Sequence, residues 1–466
     1  MSKEHLLVLG AGPGGYSAAF YAADQGYRVT LVDANDKLGG VCLHRGCIPS
    51  KALLHIAGLI TKIRQAKEWG IKYGDPDINV ERLRDWKEGI ISKISGGLIA
   101  LCKQRGVSFV NGRGEFINSN TIKLSDGNSI TFDRCILATG SQSVIPKQFI
   151  DTQLHIMDSS EALDLPAIPE RLLIVGGGYI GLEMGTVYSA LGSRVTIVEV
   201  MDGLLPGVDR DLVRPLHAKL TKKFESVYLN TKIVSIRESG QSKCVAMMTI
   251  KEKVEESFDR ILVSVGRRPN TEGIGLEHTN VKLNDKGFVE VDLKRQTSDP
   301  TILAIGDVTG EPMLAHKASH EARIAVEGLR GEDVSFADKV IPAVVFTDPE
   351  IAWCGLTESE AKNNNTNVEV ARFPWGASGR AHTLGCTEGT TKLVLEPRTH
   401  RVLGVGIVGY GAGELIAEGV LAINMGAKAE DLSNCIHPHP TLSETLMESA
   451  EVFFGTATHI YKRPRR

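Results

Sequence analysis

The sequence predicts an α/β protein: two parallel-sheet units followed by a C-terminal α+β domain. Three observations carry that prediction. A strand, glycine turn, helix, strand and acid follow one another twice; further buried-strand patterns end on small or acidic residues beside each copy; and from Ile341 onward the glycine turns give way to alternating segments. A chain of 466 residues has room for about three domains.

The first copy runs from the apolar strand Leu6 to Leu9 into Gly10-Ala11-Gly12-Pro13-Gly14-Gly15, then an Ala-rich helix over Tyr16 to Gln25 and a strand over Arg28 to Val32 ending at Asp33. The second repeats this grammar with Leu172 to Val175, Gly176-Gly177-Gly178-Tyr179-Ile180-Gly181, a helix over Leu182 to Leu191 and a strand over Arg194 to Val198 ending at Glu199. In such a turn the first glycine permits the tight bend, the second lets backbone N–H groups reach a pyrophosphate, and the third allows the helix to pack on the strand. In both copies the acid stands 18 residues after the third glycine. Two Rossmann-like dinucleotide-binding units are implied. A carboxylate at that strand end accepts hydrogen bonds from a ribose diol and repels a 2′-phosphate. Val200-Met201-Asp202-Gly203 supplies no arginine for such a phosphate, so the second site is expected to prefer NAD over NADP.

Between and after the repeats, Phe132 to Ala138 reads as a strand closing on Thr139-Gly140-Ser141, and Ile261 to Gly266 as its counterpart in the second half. Ile302 to Ile305 closes on Gly306-Asp307, where a carboxylate suits a ribityl or ribose hydroxyl. Lys392 to Leu395 and Val402 to Val408 read as strands and Gly413 to Met425 as a helix, with no glycine fingerprint, which gives the C-terminal α+β domain. The expected division is 1–145 and 270–340 for the two segments of the first unit, 146–269 for the second, and 341–466 for the last domain.

One pair of cysteines is close in sequence, within Gly39-Gly40-Val41-Cys42-Leu43-His44-Arg45-Gly46-Cys47-Ile48-Pro49-Ser50-Lys51. Five residues of regular helix rise ~7.5 Å, beyond the ~7 Å that a disulfide spans between Cα atoms, so a bridge requires an irregular turn, for which Gly46 and Pro49 stand in place. A redox disulfide, inert buried thiols and a metal site are the readings open to the pair. Zinc ordinarily takes closer cysteines with a second pair or histidines nearby, and none follows, so no metal is expected. A helix N-terminus favours the thiolate, the nucleophile in exchange. The other six cysteines (102, 135, 244, 354, 386 and 435) stand singly and read as small hydrophobes. Near the C-terminus, two prolines bracket His439, and Glu444, at the start of a helix, can hold one ring nitrogen so that the other acts as a base.

The charge balance, 53 Lys and Arg against 56 Asp and Glu, supplies no global attraction to nucleic acid or an anionic membrane, and the basic Lys462 to Arg466 reads as a frayed tail. No apolar run approaches the ~18 residues of a spanning helix. The first strand starts too early to leave room for a signal peptide, and the cysteines are too sparse for a secreted scaffold, so a cytoplasmic protein is expected.

The run GGVCLHRGCIPSK, the two fingerprints GAGPGG and GGGYIGLE, VGRRPN, AIGDV and HPHPTLSE together resemble the class I pyridine nucleotide-disulfide oxidoreductases, in family order over essentially the whole chain. IPSK in place of VPKK is similar to the lipoamide dehydrogenase branch, the flavoprotein component of 2-oxoacid dehydrogenase complexes; the absence of a C-terminal vicinal cysteine pair separates it from the mercuric reductases. The resemblance implies an FAD domain, an NAD domain and a C-terminal dimerisation domain. It assigns Gly10, Gly12, Gly15, Asp33, Lys51, Gly114, Thr139, Gly140, Asp307 and Ala315 to FAD, and Gly176, Gly178, Gly181, Glu183, Glu199, Ile233, Gly266 and Arg267 to NAD. Cys42 would be the interchange thiol, Cys47 the thiol facing the flavin, Lys51 and Glu183 a pair near it, and His439 with Glu444 the base delivered to the opposite subunit of an obligatory homodimer. The implied reaction is oxidation of dihydrolipoyl groups with reduction of NAD⁺. The implied partners are the lipoyl domains and acyltransferase core of a 2-oxoacid dehydrogenase complex, or the lipoyl protein of glycine cleavage. The chain departs from the common pattern at His44-Arg45, where Asn-Val is usual, at Asn424, where an acid is common, and at Cys435. The first departure bears on redox poise rather than on the reaction.

Overall fold

Leu6, Leu7 and Val8 have no exposed surface, which requires the first strand to be covered on both faces. In the computed structural model, which describes residues 3–150, 156–240, 242–337 and 339–461, that strand, His5–Leu9, is the centre of a five-stranded parallel sheet. Its neighbours are Arg28–Asp33 and Arg134–Leu137, with Leu7 opposite Thr30 on one side and Cys135 on the other. Ser108–Asn111 and Ile302–Ala304 complete the edges. The strand ending near Asp307 thus returns to the first sheet after an excursion of more than a hundred residues.

The first helix, Pro13–Asp24, begins with a proline in its first turn, where no N–H is needed. Its Ala18, Ala19 and Ala22 are fully buried beside Ala322, Ala325 and Val326 of the helix Ala315–Leu329, small residues that let the two helices approach closely over the sheet.

The second repeat forms a four-stranded parallel sheet, Ser226–Tyr228, Arg194–Val198, Arg171–Val175 and Arg260–Val263 in that spatial order, with the helix Tyr179–Leu191 packed on it. A three-stranded antiparallel sheet, Lys232–Ser239, Ser242–Met248 and Lys253–Phe258, is appended to it. The C-terminal part is a five-stranded antiparallel sheet, ordered Ala343–Val345, Glu350–Gly355, Val402–Gly409, Thr390–Leu395 and Glu369–Pro374, with the helices Ala412–Asn424 and Glu444–Phe454 against it.

A buried charge cluster joins this last sheet to the second unit. Lys392, 1 % exposed, places Nζ 2.6 Å from Asp209 and 2.8 Å from Asp211, the residues that open the helix Arg210–Lys223, and 3.3 Å from Glu358. Asp209 also accepts the backbone N–H groups of Glu358 and Ser359 at 3.0 Å each. Burial pushes the Asp209 carboxyl up, but the bonds from Lys392 and Ser359 outweigh it and hold the group at about 2. The basic segment Lys462 to Arg466 lies outside the described residues.

Candidate active site

The irregular turn demanded by the cysteine spacing is a break between two helices. Cys42 lies in the short helix Gly40–Arg45, and Cys47 opens the helix Cys47–Gln65, with Gly46 between them. A Cβ on Gly46 would stand 2.9 Å from the Val41 carbonyl oxygen and 3.2 Å from Cys42 Cα, so only glycine lets the second helix start this close to the first. The result brings the sulfurs of Cys42 and Cys47 into hydrogen-bond contact, both as thiols, with Cys42 half-buried and Cys47 facing the cleft. The pair is electrostatically unequal. The Cys42 thiol donates to Cys47, which raises Cys42 together with its burial. That same hydrogen bond, aided by the Lys51 ammonium and opposed by burial and Glu183, lowers Cys47 below the usual thiol range.

One turn into the same helix, Lys51 Nζ lies 3.1 and 2.9 Å from the two carboxylate oxygens of Glu183 on the helix Tyr179–Leu191. Glu183 is 3 % exposed and is further held by Ser50 Oγ at 3.1 Å and by the Phe346 N–H at 3.1 Å. Sequence reasoning did not single out Ser50 as a ligand of Glu183, nor Phe346 at all; Phe346 carries no local motif.

The cysteines and the ion pair share a cleft of about 500 Å³. Nine of the ten residues assigned to the first nucleotide line it: Gly10, Gly12, Asp33, Lys51, Gly114, Thr139, Gly140, Asp307 and Ala315. The tenth, Gly15, sits beneath the turn, where a Cβ would be 1.7 Å from the Gly10 carbonyl oxygen. Gly181 plays the same part in the second turn, 2.3 Å from the Gly176 oxygen. The middle glycines differ. A Cβ on Gly12 would meet only Gly40 Cα at 3.9 Å, and one on Gly178 nothing within 4 Å, which leaves the room a pyrophosphate needs to approach the backbone.

The two strand-end acids are held alike. Asp33 accepts the Ala11 N–H at 2.6 Å and the Asn35 N–H at 2.8 Å; Glu199 accepts the Gly177 N–H at 2.7 Å and the Met201 N–H at 2.8 Å. Each carboxylate therefore braces its own glycine turn and keeps lone pairs for a ribose.

Of the residues assigned to the second nucleotide, Glu183 and Arg267 reach the first cleft. Arg267 donates through Nε to Ser141 Oγ and through Nη2 to the Ser141 carbonyl, each at 2.8 Å, and Ser141 Oγ donates to Asp307 at 2.5 Å. Gly176, Gly178, Gly181 and Glu199 gather on the second sheet, Ile233 pairs with Met247 on the appended sheet, and Gly266 accepts the Val144 N–H. His44 bonds the Leu38 carbonyl at 2.9 Å, whereas Arg45 lines the cleft.

His439 is absent from the lining of its own chain's cleft. Its side chain is 71 % exposed, with Nδ1 2.8 Å from Glu444, whose other oxygen accepts the Thr441 N–H at 2.7 Å. Burial pushes the Glu444 carboxyl up, but the Thr441 and His439 hydrogen bonds leave it below the usual range. With Nδ1 engaged by Glu444, Nε2 hydrogen-bonds to no described residue.

Comparison with known proteins places these features. Residues 4–322 match the model of the pyridine nucleotide-disulphide oxidoreductases and residues 341–450 that of their dimerisation domain. The chain is 44 % identical to a dihydrolipoyl dehydrogenase of Vibrio cholerae over 99 % of its length and 98 % of the relative's, and 45 % identical to that of Haemophilus influenzae over the same shares. Among solved structures, LpdA from Mycobacterium tuberculosis superposes with a TM-score of 0.89 at 29 % identity, covering 96 % of this chain and 99 % of that one. The HOCl-induced flavoprotein disulfide reductase RclA from Escherichia coli gives 0.85 at 28 %, covering 95 % and 98 %. The cofactors are FAD and NAD, and the dimerisation-domain match supports a homodimer. No helix among the described residues is long and apolar enough to cross a membrane. With both family models matched in order around an unequal pair of cysteines, the chain belongs to the pyridine nucleotide-disulphide oxidoreductases.

Proposed function

We propose that the chain is the flavoprotein that oxidises dihydrolipoyl groups and reduces NAD⁺, through the couple formed by Cys42 and Cys47. The observation that carries this reading is the unequal cysteine pair on the wall of a cleft that also holds the Lys51–Glu183 ion pair. The 44 % identity to dihydrolipoyl dehydrogenases over nearly the whole chain favours the lipoyl substrate over other disulfides.

In this reading His439, oriented by Glu444 and delivered from the second subunit, accepts a proton from one dihydrolipoyl thiol. The resulting substrate thiolate attacks Cys42 of the oxidised pair, the Cys42–Cys47 bond breaks, and Cys47 leaves as a thiolate, which the neighbouring Lys51 ammonium favours. The second substrate thiol then displaces Cys42, its proton passing to the departing Cys42 sulfur, so that the cyclic disulfide is released while His439 keeps the proton of the first thiol. When bound, FAD supplies the electron relay between the dithiol and NAD⁺. Lys51 keeps a positive charge beside Cys47, and Glu183 fixes that charge in place.

The residues that the family resemblance assigns to FAD would hold it along the first sheet, with Gly12 admitting the pyrophosphate and Asp33 and Asp307 the two polyols. Gly178 and Glu199 would do the same for NAD. The chain segments 1–145 with 270–340, 146–269, and 341–466 would form the FAD, NAD and interface domains. Lipoyl domains on an acyltransferase core, or the lipoyl protein of glycine cleavage, would be the partners. A cytoplasmic location belongs to this reading because the remaining cysteines stand singly and are too sparse for a secreted scaffold.

The test is an absorbance titration of the yellow holoprotein with NADH, followed by lipoamide. Reoxidation by lipoamide but not by glutathione disulfide or coenzyme A disulfide is expected; reoxidation only by one of the latter overturns the lipoyl assignment.

A further inference from the structure

Glu183 and Lys51 come from helices of the two nucleotide-binding units, yet their surroundings include a third element. Phe346 follows the strand Ala343–Val345, the first strand of the C-terminal sheet, in which Val345 pairs with Ile351. Its N–H donates to Glu183 Oε1 at 3.1 Å, and its ring lies under Lys51 Nζ, 4.5 Å from the ammonium to the ring centroid. One residue therefore touches both partners of the ion pair, with its backbone on the anion and its π face on the cation.

The position of Phe346 is itself secured. Thr347 Oγ1 donates to the Pro349 carbonyl at 2.8 Å across the turn that follows it. Asp348 in that turn is gripped by Lys219 at 2.6 Å and Lys223 at 3.1 Å, both on the helix Arg210–Lys223 of the second unit. The C-terminal sheet thus reaches the cleft along a path that the second unit clamps.

The ring matters because Glu183 alone leaves Lys51 freedom. The Lys51 side chain is 35 % exposed toward the cleft, and its flexible four-carbon stem lets the ammonium shift around the carboxylate without leaving it. A π face on a second side restricts the ammonium to the sector between Glu183 and the cleft. Ser50 Oγ and the Phe346 N–H fill the remaining directions of the carboxylate, so Glu183 cannot rotate to follow a wandering lysine.

We propose that Phe346 is a positioning residue of the flavin-facing site: the C-terminal interface domain, through one N–H and one aromatic ring, sets where the Lys51 charge stands relative to Cys47. This deepens the reading of Cys42 and Cys47 as the redox couple and rests on it. It also makes the electrostatics of the cleft depend on a domain that contributes no residue to the nucleotide fingerprints.

The charged and titratable groups facing Cys47 are Cys42, Lys51, Glu183, Tyr16 and Tyr179. Among them Lys51 is the cation that lowers Cys47, so displacing Lys51 moves the ionisation of Cys47 upward. The experiment measures the pH midpoint of the long-wavelength absorbance band in the two-electron-reduced holoprotein, for the wild type, Phe346→Leu and Phe346→Tyr. Phe346→Leu keeps the N–H and removes the π face; it is expected to raise the midpoint by about half a unit, whereas Phe346→Tyr restores the wild-type value. An unchanged midpoint in Phe346→Leu, or an equal rise in both variants, overturns the proposal. Pentafluorophenylalanine at 346 keeps the ring's shape and inverts its quadrupole; the same rise is expected, and its absence overturns the cation–π role even if Phe346→Leu fails to fold. The readout needs no lipoyl substrate, so a failure of the lipoyl assignment leaves this result standing, and the reverse.

Discussion

Lys51 and Glu183 are 132 positions apart in the chain and meet in a doubly bonded ion pair, 2.9 and 3.1 Å from Nζ to the two carboxylate oxygens. The cation lowers the neighbouring Cys47 and the anion raises it, so the pair acts on the thiol with opposite signs.

Removing one partner at a time separates those signs. Lys51→Met is expected to move the pH midpoint for Cys47 ionisation upward, and Glu183→Gln to move it downward, each by about half to one unit in the reduced protein. Thiolate absorbance against pH reads both, and shifts of the same sign would remove Lys51 from the role of local cation.

His439 stands outside its own cleft, which predicts complementation between subunits. Homodimers of His439→Ala and of Cys42→Ser should each lose at least about two decades of lipoamide turnover while retaining FAD and NADH oxidation by artificial acceptors. A mixed dimer of the two variants keeps one intact pairing of His439 with Cys42 and should recover about half the wild-type rate. A mixed dimer as inactive as its parents would place the base within one chain.

The third glycines should divide the two nucleotides. Gly15→Ala forces a Cβ to within 1.7 Å of the Gly10 oxygen and is expected to yield protein without FAD. Gly181→Ala, at 2.3 Å from the Gly176 oxygen, should leave the protein yellow but weaken NADH binding by about tenfold or more. Flavin content and the KM for NADH report the two effects separately.

The latch between Asp209 and Lys392 gives an acid limb to stability. A carboxyl held at about 2 when folded, against 3.8 ordinarily, contributes about 2 kcal/mol above the ordinary value and loses it as pH falls through the folded one. Asp209→Asn should therefore lower the urea midpoint fully at pH 5 to 7, and the gap to wild type should close as pH drops from about 4 toward 2. A gap that does not change with pH would mean that packing, not charge, makes the latch.

Much of the site was legible because its causes are local. A turn that needs φ of +107° at Gly10 and +111° at Gly176 selects glycine whatever lies beyond it, and an acid at the next strand end braces the same turn. The five-residue spacing of Cys42 and Cys47 forced a break in the helix, which Gly46 supplies. The strands over 6–9, 28–32, 172–175 and 194–198 were readable from continuous apolar runs, since both faces of a parallel sheet are covered.

Other features came into being only when distant segments packed. No spacing links Phe346 to Lys51, or Ser141 to Arg267 and Asp307; those contacts exist because the C-terminal sheet and the returning strand Ile302–Ala304 dock against the two parallel-sheet units. The turns, the acids that brace them and the close pairing of Cys42 with Cys47 follow from the chain alone, since their requirements are set by dihedral angles and neighbours along it. Which charges meet in the cleft, and that His439 is exposed outside its lining, follow only from the packing of distant segments, because electrostatic contact depends on distance in space and not on separation in sequence.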